Sequence, residues 1–177
     1  MATTIFRGGD TISDSRLYIL GALDRLGNLI AAVKIGLAKT PEDRANDVSK
    51  KYDVPGRKYR KSERNVFVIS QSRAVYRDLA EGIEHMAQVY AYVKYGKLPF
   101  MKPKAWSDSG TSEWFAIKPK QAQAMIMNAF KMAKKLDYDV LALTTYALDY
   151  MEKNNKPEPK DWDWIDYVRF AQERAIR

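Results

Sequence analysis

Residues 16–50, RLYILGALDRLGNLIAAVKIGLAKTPEDRANDVSK, decide the fold. Two apolar runs, LYILGAL and LIAAVKIGL, flank the turn-prone DRLGN, and Thr40-Pro41-Glu42-Asp43 then spells the start of a helix. Strand, turn, strand and helix in this order predict a β-hairpin feeding a helix. In the first run Tyr18, Leu20 and Ala22 alternate with Leu17, Ile19 and Leu23. Both alternating sets are apolar, so this strand is expected to be covered on both faces and central in its sheet. The second run contains Lys34 among apolar neighbours. A lysine there is costly to bury unless its amine reaches a cleft or an anionic partner; the other reading is an amine that snorkels to the sheet edge. Gly36 permits either a bulge or the close approach of another group.

Thr40 suits an N-cap and Pro41 the first helical position, while Glu42 and Asp43 complement the helix dipole. Arg44 stands in the first turn, against the dipole preference. That placement points to a role outside the helix, or to a surface pair with Glu42 or Asp47.

Outward from this stretch, residues 1–15 read as a polar lead-in. Residues 65–70, NVFVIS, predict a third strand, and Ser72 is expected to open a long helix to about Tyr95 with Val75, Leu79, Ile83, Met86, Tyr90 and Val93 on one stripe. At roughly 100° per residue, Glu84 falls about 135° from the centre of that stripe and Glu81 about 195°, so Glu84 is nearer the packed boundary and Glu81 faces away. His85 falls on the other shoulder, as a polar boundary residue. Residues 97–110 read as a loop and 112–117, SEWFAI, as a strand. Helices are expected over 120–136, 140–152 and, after the breaker NNKPEPK, 161–174. The expected architecture is α+β: a small, mainly antiparallel sheet flanked by helices over 1–136, with a helical C-terminal extension over 137–177. Trp162, Trp164, Ile165 and Val168 give the last helix an apolar surface that must pack on the core formed by 1–136 or on a second copy of the chain; packing in cis is expected, because Met125, Phe130, Leu141 and Leu148 offer matching apolar faces a short connection away.

With 177 residues, one main core is expected. A hydrophobic content of 46% excludes a disordered chain, and no run approaches the roughly 18 apolar residues of a membrane span. The start, MATTIFRGGD, has no apolar core of a secretory signal. Zero cysteines exclude disulfides and thiolate zinc sites, and one histidine excludes a histidine-rich metal centre. A cytoplasmic location fits. The formal charge of +8 sits mainly in the first two thirds: residues 1–119 carry a net +7 and 120–177 a net +1. Within 50–64, KKYDVPGRKYRKSER, seven basic residues (Lys50, Lys51, Arg57, Lys58, Arg60, Lys61 and Arg64) face two acidic ones, with Tyr52 and Tyr59 interleaved. Such a cluster either neutralises nucleic-acid phosphates, with the tyrosines stacking on bases, or is a solvated loop.

The hairpin with LYIL in one strand and VKIG in the next, followed by an arginine eight residues past the glycine, resembles the GIY-YIG nuclease superfamily. Leu17-Tyr18 stands where the name's Ile-Tyr would be, and Lys34-Ile35-Gly36 where its Tyr-Ile-Gly would be. The lysine in place of the second tyrosine, with the glutamate-bearing helix and the Ser112-Glu113-Trp114-Phe115 strand, looks most like a phage-associated branch, which would place the protein in a bacterial host cell. The resemblance covers about 15–136. It implies divalent-metal-dependent endonuclease activity on DNA, with RNA left open. Tyr18 would position or deprotonate the attacking water, Arg44 would hold the scissile phosphate, and Glu84 would ligate a single Mg²⁺ or Mn²⁺. A free tyrosine, with a pKa of about 10, is a poor base at neutral pH, so Lys34 or Arg44 would have to favour its phenolate. In that reading Lys34 would contact phosphate or tune Tyr18. Val48 stands where a histidine or tyrosine often follows the arginine, and a late asparagine is replaced, if at all, by Ser112 or Glu113. The alternative is a domain that has kept the scaffold and binds nucleic acid without cutting it.

Overall fold

The structure is a computed structural model and describes residues 13–23, 26–29, 32–51, 66–95 and 114–156. In chain order the elements are β1 (Ser13–Ala22), β2 (Val33–Ala38), α1 (Pro41–Lys51), β3 (Val66–Gln71), β4 (Val75–Tyr76), α2 (Arg77–Tyr95), β5 (Trp114–Phe115), α3 (Pro119–Lys135) and α4 (Val140–Lys153). The sheet runs β3-β1-β2-β5, with β4 pairing the start of β1, and every pairing is antiparallel. The architecture is α+β as the sequence predicts. Most of the basic cluster, the 97–110 loop, Ser112, Glu113 and the 161–174 segment lie outside the described residues; Lys50 and Lys51 close α1.

β1 is central because both of its faces are apolar. Leu17 and Ile19 join Val33 and Ile35 of β2 in a large core with α2, α3 and α4; Tyr18, Leu20 and Ala22 join Ala32, Val66 and the α1 residues Ala45 and Val48 in a smaller one. The sheet thus has α1 on one side and the other three helices on its other side. Gly27 supplies the left-handed backbone, at φ 82°, that the β1–β2 turn requires. In the β1–β3 pairing the register shifts between Ile19 and Leu20, which leaves Ile69 as an extra residue and brings Gln71 opposite Tyr18. The Gln71 Nε2 then donates to Glu42 Oε1 of α1 at 3.4 Å.

Two elements differ from the sequence reading. β1 begins at Ser13, inside the stretch read as a lead-in, and Val75–Tyr76 forms a short strand instead of the first turn of α2. The two differences have one cause: Ser13 and Ser15 pair with Tyr76 and Val75. Ser72 anchors this return of the chain. Its N–H donates to the Leu17 carbonyl at 2.8 Å, its Oγ accepts from the Leu17 N–H at 3.0 Å, and its carbonyl accepts from Arg16 Nη1 at 3.0 Å.

α2 is buried along most of its girth, from Leu79 to Tyr92, because helices as well as the sheet cover it. Small residues allow this: a Cβ on Gly82 would already lie 3.4 Å from side-chain carbons of Leu143 and Val140 on α4. α3 starts with Pro119 at its first position, and the Gln121 side chain accepts from the Lys118 N–H at 2.8 Å. α4 is capped by Asp139, whose Oδ1 accepts from the Ala142 N–H at 3.0 Å.

Candidate functional site

The β1–β2 register sets Tyr18 opposite Gly36 and Leu20 opposite Lys34. Side chains alternate along a strand, so Tyr18, Lys34 and Gly36 share the α1 face of the sheet. Gly36 is there for close approach and not for a bulge. The Tyr18 ring lies across it, and a Cβ added to Gly36 would fall 2.5 Å from Tyr18 Cζ and 2.9 Å from Cε2. The phenol is thereby pressed flat along β2, one residue pair from Lys34, a diagonal spacing that long side chains span. Tyr18 is 2% exposed and Lys34 fully buried. Lys34 therefore does not snorkel to the sheet edge; the strand sits too deep between α1 and its neighbours for the amine to reach solvent.

Arg44 belongs to the first turn of α1, where its N–H donates to the Thr40 carbonyl at 3.2 Å, as expected of a helix capped at Thr40. Pro41, Ala45 and Val48 are the buried stripe of this helix. Arg44, three residues after the first and four before the last, flanks that stripe and is half-buried. The helix that carries Arg44 covers the face that carries Tyr18 and Lys34. Its position on α1 is fixed at the far end by Ser49, whose Oγ accepts from the buried Val66 N–H of β3 at 3.1 Å. Val48 is core here, 1% exposed, packed in the same cluster as Tyr18.

Glu84 stands on α2, 7% exposed, in line with the small residues Ala80, Ala87 and Ala91. Glu81 is turned outward and pairs with Arg77 at 2.9 Å. The two glutamates are thus separated as the periodicity requires, although Glu84 is more deeply enclosed than a boundary position. Strand pairing brings Tyr18, Lys34 and Gly36 together, whereas Arg44 and Glu84 come from helices on opposite sides of the sheet. Among the described residues no three His, Cys, Asp or Glu side chains group as a metal cluster. A lone carboxylate is still a hard oxygen donor suited to Mg²⁺ or Mn²⁺, ions that keep waters and take phosphate oxygens as further ligands. No helix of the described residues is long and apolar enough to cross a membrane.

His85, next to Glu84, has its pKa lowered to about 3 by desolvation. The unfolded chain then binds a proton, below its ordinary value of about 6.5, that the folded protein refuses down to about 3. More protons on the unfolded side mean that stability is full above about pH 6.5 and is lost as pH falls. The expected slope is up to about 1.4 kcal/mol per pH unit. Urea denaturation at neutral and mildly acidic pH should show it, and His85→Gln should flatten it; an unchanged slope in the variant would assign the acid sensitivity to other groups.

Sequence reasoning missed the cationic face of α3. The helix has four lysines and no acidic residue between 119 and 135, and Arg73 stands against it with Cζ 6.0 Å from the Phe130 ring centre. The signal was in the sequence, diluted by counting charge over 120–177 as one block. Comparison of the chain with known protein families, with curated proteins and with solved structures finds no match.

Proposed function

We propose that this protein is a divalent-metal-dependent endonuclease that hydrolyses DNA phosphodiester bonds. The observation that carries this reading is the Tyr18 ring seated across Gly36 beside a buried lysine, with an arginine on the helix that covers the same face. A phenol held rigidly at the edge of a cationic region is a suitable group to orient an attacking water and take its proton. The Lys34 ammonium on that face favours negative charge, whether on the phenol oxygen or on phosphate. The Arg44 guanidinium presents a planar fork that matches two phosphate oxygens, a geometry a lysine does not reproduce. The resemblance, and not the placement, gives Glu84 the metal, since α2 lies on the other side of the sheet from the face that carries Tyr18 and Lys34; a divalent ion held there would have to reach the phosphate to stabilise charge on it and on the leaving oxygen. The protein's own contribution is placement: two paired strands fix the phenol and the amine, and Arg44 stands on the helix that covers their face.

The resemblance of the LYIL and VKIG motifs to the GIY-YIG superfamily supports the same reading. The net charge of +8 agrees with a polyanionic substrate.

Glu84 and Glu81 provide the test, because one is enclosed and the other is outward on the same helix. Glu84→Gln should lower Mg²⁺-stimulated cleavage by about 10²-fold or more, the value of several kcal/mol of charge stabilisation. Glu81→Gln, which removes a surface pair worth about 0.5 kcal/mol, should leave cleavage nearly unchanged. Equal cleavage by the two variants, each with a melting temperature near that of the parent, would remove Glu84 from the site.

A further inference from the structure

We infer that the exposed face of α3, together with Arg73, is a second surface for duplex DNA, holding phosphates beyond the bond that is cut; the choice of DNA rests on the proposed function. The first support is composition. Lys120, Lys131, Lys134 and Lys135 are the only charged residues of α3, and all four are exposed. Lys131, Lys134 and Lys135 are three and four residues apart, so they present one cationic face. From Met127 to Lys135 the helix rises about 12 Å, over which one strand of duplex offers about three to four phosphates.

The second support is a shaped hollow. Ser72, Arg73, Met127, Phe130 and Lys131 line a shallow depression of about 370 Å³ between the β3–β4 connection and α3. Arg73 lies over the Phe130 ring and is itself exposed, so its guanidinium is braced on one side and open on the other. The third support is continuity with the candidate site. Gln71 pairs with Tyr18, Ser72 is bonded to Leu17, and Arg73 follows directly. One residue, Ser72, therefore separates the partner of the candidate base from the first cation of this surface.

The lysines and Arg73 select a polyanion; the hollow between them is lined mostly by apolar surface, so phosphates are held by the cations around it. Met127, 58% exposed, is the one large apolar side chain of α3 that is exposed, and Phe130 and Met132 are half-buried and packed on the core, whereas a helix that lies in a membrane interface offers a row of large apolar side chains.

Fluorescence anisotropy with a labelled duplex, in EDTA and over a range of KCl concentrations, compares the parent with the Arg73→Gln, Lys131→Gln, Lys134→Gln and Lys135→Gln combination. The log–log salt slope should become shallower by up to about 0.9 for each contact made, about 3.6 for all four. A Lys94→Gln, Lys153→Gln variant, which removes exposed charge elsewhere, should leave the slope unchanged. A folded quadruple variant with the parental slope would overturn the surface and leave the nuclease reading intact wherever the parent cuts. Loss of slope in a protein that never cuts would retain the surface and remove the nuclease. A parent that does not bind the duplex even at low salt overturns the assignment. So does a quadruple variant that loses phosphatidylglycerol vesicles but keeps its DNA affinity.

Discussion

Tyr18→Phe should lower the single-turnover rate of DNA cleavage by about 10²- to 10⁴-fold, the range attributable to a positioned acid or base. DNA affinity should change little, because the substitution removes one oxygen and leaves every cation in place. The phenyl ring that remains would still lie across Gly36, since the contact is made by the ring carbons as well as the oxygen. A melting temperature close to that of the parent would therefore accompany the loss of rate. Arg44→Lys keeps the charge and removes the fork, so it should fall between the parent and Arg44→Ala. Cleavage by Tyr18→Phe at the parental rate would exclude the phenol oxygen from the chemistry, whatever the protein's affinity for DNA.

Gly36→Ala is expected to be the most damaging conservative change in the sheet. The new methyl would lie 2.5 Å from Tyr18 Cζ, against an ordinary carbon contact of about 3.5–4.0 Å. Tyr18 cannot swing aside cheaply, because it is 2% exposed and packed with Leu20, Ala45 and Val48. Overpacking of this kind costs about 1–3 kcal/mol, which for a chain of this size lowers the melting temperature by about 2–4 °C per kcal/mol. The displaced phenol should also cost cleavage rate. In a double-mutant cycle with Tyr18→Ala, the Gly36→Ala penalty should largely vanish, a coupling of about 0.5–3 kcal/mol. Additive penalties would mean that the ring does not occupy the space above Gly36.

The hairpin, the central position of β1 and the Thr40 start of α1 were legible because each rests on local pattern: alternation with period 2, a turn with glycine, and cap chemistry. The Ser13–Ser15 end of β1 was not, because its residues are polar and its partner is Val75–Tyr76, some sixty positions away. Val75 and Leu79 are four residues apart, which fits a helix stripe as well as a strand followed by a helix. Pattern alone could not choose; the pairing partner does. The role of Gly36 was open between a bulge and a close approach until the register placed Tyr18 opposite it. Lys34 shows the same limit. Whether a lysine in an apolar strand is enclosed or reaches solvent depends on what covers the sheet, and α1 covers it here. Periodicity separated Glu84 from Glu81 correctly but understated the enclosure of Glu84, because it describes a helix packed on one layer and α2 is packed on more than one. The cationic face of α3 was hidden by averaging over a long segment, and Arg73 by its distance in sequence from Phe130.

The most direct measurement is cleavage of supercoiled plasmid by the purified protein with Mg²⁺ or Mn²⁺ and with EDTA, alongside Tyr18→Phe and Arg44→Ala. The expected result is nicked or linear product with the metals, none with EDTA, and strongly reduced product with either variant. Intact plasmid under every metal condition, with a protein that is folded and binds the same DNA, would contradict the nuclease assignment and leave a domain that holds DNA without cutting it.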